Sequence, residues 1–285
     1  MTITKERGIC EHGADCHDGT ALSMATAPEA SRAWLLIEHT GPWPAEPTEA
    51  EQPGELDALV SAAAALGIRV QLIRRPGRRA LLGPADPRTV FACSTVGDRP
   101  WLRRGTGSDV GALDLAAFAA GSLDPARAGS LDPAGFGDRA GFGDPAGFGD
   151  PAGFGDPAGF GEPARFGEPA DEPIFLVCVH GRRDVCCARF GVALAQSLAA
   201  RYPAQVWETT HVSGHRFAAN LVILPHGLYY GPVGTVEATA AIEAYGRGTV
   251  LAERYRGRAG QPVRVQEEEY VRLAEIGSLP LDSLR

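Results

Sequence analysis

The sequence predicts an α/β protein built as two lobes joined by a low-complexity linker. Three observations carry this expectation. Strand-like and helix-like periodicities alternate on both sides of the middle of the chain. A repetitive stretch rich in Gly and Pro interrupts them. The 285 residues, 44% of them hydrophobic, leave enough apolar side chains for two ordinary cores once that stretch is set aside. The expected boundaries are a partly disordered N-terminal tail over 1–30, a first α/β lobe over 31–122, a disordered linker over 123–172 and a second lobe over 173–285.

In the first lobe, AWLLIEH is a short apolar run that suits a buried strand, and GPWP ends it. ELDALVSAAAALG has the apolar spacing of a helix, stopped by Gly67. IRVQLIRR alternates like a strand, and TVFACST is a third strand candidate. Strand, helix, strand, strand favours a sheet with at least one crossover. No phosphate-binding glycine loop follows the first strand, so a dinucleotide-binding reading has no support.

From Asp132 the chain runs DPAGFG, DRAGFG, DPAGFG, DPAGFG, DPAGFG, EPARFG. Pro and Gly at this density stop helices and central strands alike. A hexapeptide period can also mark a parallel β-helix, but that needs stacked β-branched residues, and each repeat offers one Phe. The array therefore reads as a flexible acidic linker, its phenylalanines a by-product of repeat expansion.

The second lobe is clearer. IFLVCVH is a strand and CARFGVALAQSLAARY a helix. AQVWETTH, NLVILP and LYYGPV are three further strands, the last two joined by a tight turn at Pro225-His226-Gly227, and TVEATAAIEAYGRG closes as a helix. This β-α-β-β-β-α order is close to a thioredoxin-like unit.

The net charge of −8 argues against non-specific binding to nucleic acid or to an anionic membrane. The segment MTITKERGICEHGADCHDG has no apolar core of a signal peptide, and no run approaches the ~18 apolar residues of a spanning helix. A cytoplasmic location is expected, where thiols stay reduced, so the cysteines read as ligands, reactive thiols or core residues.

Cys178 ends the first strand of the second lobe, and Cys187, separated from it by eight residues, starts the following helix. His211 follows the second strand and His215 comes after the spacer VSG. All four sit at strand ends or just beyond, where α/β folds gather their sites. Two thiolates and two imidazoles suit either Zn²⁺ or a 2Fe–2S cluster, and this spacing is wider than that of common zinc fingers. Spacing alone leaves Cys186 as an alternative to Cys187. A thiol–disulfide enzyme is a third reading, weakened by the lack of a Cys-x2-Cys pair.

The segments CVHGRRDVCCARFG, HVSGHRFAANLVILPHGLYYGPV and YRGRAGQPVRVQ resemble the sucrase/ferredoxin-like family, as do GTALS, WLLIEHTGPWP and LIRRPGRR in the first half. The resemblance implies a thioredoxin-like ferredoxin domain whose 2Fe–2S cluster is ligated by Cys178, Cys187, His211 and His215. It implies one-electron transfer with redox partner proteins, a carrier more than an autonomous enzyme, and gives no reason to expect sugar hydrolysis; an oxidant sensor that responds by losing its cluster is a rival use of the same site. Its register selects Cys187 over Cys186, leaving Cys186 as a buried thiol. Histidine ligation would raise the potential above that of an all-cysteine cluster and make it depend on pH. The repeat insert and Cys16 depart from the family pattern without touching the ligand positions.

Around these four, His180, Arg183 and Asp184 are expected either to hydrogen-bond the cluster sulfurs or to brace their loop, and Arg216 and Asn220 to fix the loop after His215. His226 is expected to be solvated in its turn and Trp207 to be core. Cys10, His12, Cys16 and His17 read as part of a polar tail rather than a metal site. Arg74, Arg75, Arg78 and Arg79 read as a solvated basic turn, and His39 and Trp43 as loop packing.

Overall fold

The structure, a computed structural model, describes residues 27–52, 55–77, 81–83, 85–97, 100–120 and 166–284. The N-terminal Cys/His group, Arg78, Arg79 and all but the end of the repeat lie outside these residues. The described chain is mixed α/β. Before the repeat come β1 (Ala33–Glu38), α1 (Glu55–Ala65), β2 (Arg69–Arg74), β3 (Thr89–Ser94), β4 (Trp101–Thr106) and α2 (Leu115–Ala119). After it come β5 (Glu168–Pro169), β6 (Ile174–Cys178), α3 (Val185–Arg201), β7 (Val206–Thr209), β8 (Leu221–Leu224), β9 (Leu228–Tyr230) and α4 (Thr235–Gly246). The chain then adds β10 (Thr249–Leu251), β11 (Tyr255–Arg258), α5 (Val263–Ile276) and β12 (Ser278–Pro280).

Ten of these strands form one sheet in the order β11-β9-β8-β6-β7-β2-β1-β3-β4-β5, and β10 pairs with β12 separately. The order is palindromic. β6 is parallel to β7 and antiparallel to β8, which is antiparallel to β9. β1 is likewise parallel to β2 and antiparallel to β3, which is antiparallel to β4. The two units join edge to edge where β2 meets β7 antiparallel, Ile73 opposite Thr209 and Arg74 opposite Glu208. Both halves of the chain thus contribute the same strand order and directions to a single sheet.

Alternation along the strands sorts side chains between the two faces. Leu35 and Ile37 of β1 pack with Leu59 and Val60 of α1, whereas Trp34 and Leu36 join Ile73, Phe91, Leu176, Trp207 and Tyr229 on the other face. In β6, Phe175 and Val177 face Leu194 and Leu198 of α3, while Leu176 and Cys178 share the face of Trp34. The sheet curls around that shared face. Trp34 of β1 lies 6.5 Å from Tyr229 of β9 by ring centroid, and Phe91 of β3 lies 5.6 Å from Trp207 of β7. Thr95, just past β3, donates a 3.1 Å hydrogen bond to the carbonyl of Ala259, just past β11.

Phe166 and Gly167, which end the last repeat, lie within the described residues. Phe166 is buried among Trp101, Phe118 and Leu56, and Arg103 Nε donates 2.6 Å to its carbonyl. Glu168–Pro169 then adds β5 to the edge of β4. Arg74 and Arg75 are not solvated as expected. Arg74 lies over the Trp43 ring at 3.9 Å and bonds Glu208. Arg75 stacks on Trp207 at 3.6 Å and donates to the carbonyls of Pro203, Ala204 and Val206. Trp207 is core as expected, at 1% exposure. Among the described residues, no helix is long and apolar enough to cross a membrane.

Candidate metal centre

β6 carries its apolar run up to Cys178, which is fully buried at the strand end. Three residues later the chain turns through Gly181, and α3 begins at Val185 under an N-cap, Asp184, whose carboxylate accepts 2.9 Å from the Cys186 amide. Side-chain capping satisfies one of the unpaired amides of the first turn. Cys187, on that turn, points back at Cys178, and Gly191 makes the approach possible. A Cβ there would stand 2.0 Å from the Cys178 carbonyl oxygen. Cys186 lies outside this pair, buried against Ala218.

The second strand of the unit, β7, ends at Thr209, and His211 follows. Cys178, Cys187 and His211 place one ligand atom each within 4.8 Å of the others. His211 Nδ1 stands 3.6 Å from Cys187 Sγ. His215 lies outside this three-residue group, its ring 6.4 Å from that of His211 and its Nδ1 3.5 Å from Asp184 Oδ2. Its side chain is 40% exposed, whereas Cys178 and Cys187 are fully buried.

The two thiols ionise unequally. The hydrogen bond from Cys187 draws the Cys178 thiol well below the usual thiol range despite full burial, with help from His211 and the backbone at His180. That hydrogen bond, burial and the charge on Cys178 together push the Cys187 thiol up. A thiolate at Cys178 beside a thiol and an imidazole is a donor set that fits a thiophilic metal, by the chemistry of its atoms.

The His211–His215 loop is held from beneath. Tyr229 Oη donates 3.0 Å to the Val212 carbonyl, and Asn220 Nδ2 donates 3.0 Å to that of Gly214. Arg256, 5% exposed, bonds Asn220 and stacks under Phe217 at 4.3 Å. Gly214 has a φ of +72°, and a Cβ there would meet Arg256 Nη2 at 2.3 Å, so the loop needs glycine at this point. Of the two residues expected to fix this loop, Asn220 does so directly, while Arg216 is exposed and lies over Phe217.

The first half of the chain reaches the same loop. Arg69 Nη2 and Gln71 Nε2 of β2 both donate to the His211 carbonyl, at 3.0 and 3.2 Å. Its 43–46 segment receives the cysteine loop. The His180 ring meets the Pro44 carbonyl at 2.8 Å and the Trp43 ring edge-on at 6.0 Å, and Arg183 pairs with Glu46. Of the expected neighbours, His180 and Arg183 therefore brace the loop toward the first half, and Asp184 bridges the helix cap and His215. The roles of Arg69, Gln71, Tyr229 and Arg256 escaped the sequence reading, because each acts on a carbonyl or amide distant in the chain. A cavity of about 290 Å³ opens beside His211, lined by Arg69, Gln71, Arg183, Ser213, Glu46 and Thr48.

His226 departs from expectation. Its Nδ1 is 2.7 Å from Tyr245 Oη, and burial, with Arg258 nearby, pulls its pKa down to about 4.

A sequence profile of the sucrase/ferredoxin-like family matches residues 24–257, which spans both halves and every residue of the Cys/His group. No curated protein and no solved structure matches the chain.

Proposed function

The chain belongs to the sucrase/ferredoxin-like family, and from that membership and its Cys/His group we propose that it is a 2Fe–2S protein that transfers single electrons between redox partner proteins. The observation that carries the reading is the convergence of Cys178, Cys187 and His211 within 4.8 Å, with His215 beside them on the same short loop. The β7-β6-β8-β9 order, with its parallel and antiparallel pairs, supports a thioredoxin-like frame for the second half.

In this reading Cys178 and Cys187 hold the buried side of the group and His211 and His215 the outer side. Bound there, a 2Fe–2S cluster would supply reversible one-electron chemistry at a potential raised by its two imidazole ligands. The residues of this chain do the rest. Cys178 is already favoured as thiolate by the hydrogen bonds it receives. Burial of both cysteines keeps water from the sulfur side. His215, with its exposed edge and with Asp184 at Nδ1, is the point where a partner would meet the site.

The compactness of the three-donor group favours one second reading, a single zinc ion in a structural role. Anaerobic purification with iron, sulfide and zinc analysis, a visible spectrum and EPR after dithionite reduction separates the two. Two irons and two sulfides per chain, with a reduced signal altered by His211 or His215 substitution, is the expected result. One zinc in colourless protein made under iron-replete conditions would refute the electron-transfer reading.

A further inference from the structure

We infer that His180 is a positioning residue for the metal centre, holding His211 by its backbone amide and tying that ligand to the first half of the chain. The inference rests on the reading of His211 as a metal ligand, whichever metal it holds.

His180 occupies an uncommon place. It stands two residues beyond Cys178, is only 2% exposed, and uses both ring nitrogens on backbone groups. The His211 amide donates 3.2 Å to Nδ1, which fixes the proton on Nε2, and Nε2 then donates 2.8 Å to the Pro44 carbonyl. Trp43 closes the remaining side edge-on. The ring is therefore neutral and held in one orientation by two partners that are themselves main chain. Burial, the largest influence on it, also disfavours the charged form.

The consequence lies at His211. Its amide is held by His180 and its carbonyl by Arg69 and Gln71, so the peptide groups on both sides of the ligand are fixed before any metal arrives. His211 Nδ1 faces Cys187 from that fixed backbone. Three of the anchors differ in origin: His180 comes from the cysteine loop, and Arg69 and Gln71 from β2 of the other unit. Ligand orientation by outer partners of this kind commonly changes metal affinity by ~10–100-fold.

Three variants of the full chain separate the two bonds of His180. In H180N the amide oxygen can stand where Nδ1 stands and accept from His211, but it cannot reach Pro44. In H180Q the amide can reach Pro44 but leaves the His211 amide without its acceptor. H180F removes both bonds. Two readouts apply. One is Co²⁺ titration of metal-free protein, followed by the thiolate charge-transfer and tetrahedral d–d bands. The other is hydrogen exchange of the His211 amide in metal-free protein.

H180Q and H180F should bind Co²⁺ at least tenfold more weakly than wild type, with shifted d–d bands, and H180N should stay within about threefold. His211 amide exchange should quicken about tenfold in H180Q and H180F and little in H180N. If H180F fails to fold, the polar pair H180N and H180Q carries the test. Equal behaviour of that pair, or the larger loss in H180N, would overturn the inference. If wild-type protein binds no Co²⁺ and no iron, the metal reading fails instead, and the exchange data alone still report on the anchor.

Discussion

The two units of the sheet share strand order and strand directions, yet among the described residues only one of them gathers thiols and imidazoles. At the end of β6, opposite Thr209, stands Cys178; at the end of β1, opposite Ile73, stands Glu38. Glu38 serves the fold there, its carboxylate accepting from the Thr89 amide and its carbonyl from Arg88. Two residues past the paired position on the second strand lies His211 in one unit and Arg75 in the other. Arg75 is committed to Trp207 and to carbonyls of the neighbouring unit. The frame thus brings strand ends together without specifying what they hold. In one unit those ends form a donor set; in the other they grip the unit that has it.

The largest expected effect tests that division directly. Cys178→Ser or Cys187→Ser should abolish metal uptake, read as loss of visible absorption and of stoichiometric metal in the purified protein. Glu38→Gln, which keeps an acceptor for Thr89 at the equivalent strand end, should load metal like wild type. Loss of metal in E38Q would mean that the first unit holds more of the site than its contacts indicate.

Next in size is a matched deletion in the two cores. Phe166 packs in the first unit and Phe175 in the second, with 3% and 1% exposure. Truncating a buried Phe to Ala costs ~3–5 kcal/mol through lost transfer energy and the cavity left behind. Because β2 and β7 join the units in one sheet, F166A and F175A should each lower the midpoint of a single urea transition. Two transitions, with F166A moving only one, would show that the units unfold separately.

Phe166 also shows where the sequence stops informing. Five phenylalanines precede it at the same place in their hexapeptides, and one Phe per repeat forms no apolar pattern that would announce a core position at 166. The strands β1, β6 and β8 were legible because covered strands read as continuous apolar runs, and β2 because its residues alternate. β10 and β12, three residues each, are too short to show alternation. The Cys-x8-Cys and His-x3-His spacings put Cys178, Cys187 and His211 at neighbouring strand ends, and there the three converge. The anchoring of His211 was not legible. The partners of its loop, Pro44 with His180 and Arg69 with His211, are 136 and 142 residues apart, and edge pairing of β2 with β7 leaves no periodic trace.

pH separates the units by a smaller amount. His226 in the second unit has its pKa lowered to about 4, and His39 in the first is lowered too, by burial and then by Arg88. A histidine kept neutral by folding binds its proton more readily when unfolded. Its contribution is therefore intact above pH ~6.5 and is lost as pH falls toward the folded value. For His226 the loss approaches ~3 kcal/mol by pH 4. Urea midpoints at pH 7 and pH 5 should differ, and His226→Gln should flatten that difference more than His39→Gln. An equal slope in wild type and H226Q would remove His226 from the account.

The smallest effect concerns the seam between the units. Arg75→Ala removes the cation stacked on Trp207 and its bonds to three carbonyls at the α3–β7 turn and strand start, while leaving the β2–β7 ladder in place. Stacking of this kind contributes ~1 kcal/mol and exposed or half-buried hydrogen bonds about as much again, so R75A should cost ~2 kcal/mol. Arg75→Lys keeps the charge but not the planar stack or the fork, and should recover less than half of it. The metal centre should not notice either change, because His211 is held through Arg69, Gln71 and His180 and not through Arg75. A Co²⁺ spectrum shifted in R75A would instead mean that the seam as a whole, rather than the three anchors, sets the geometry of His211.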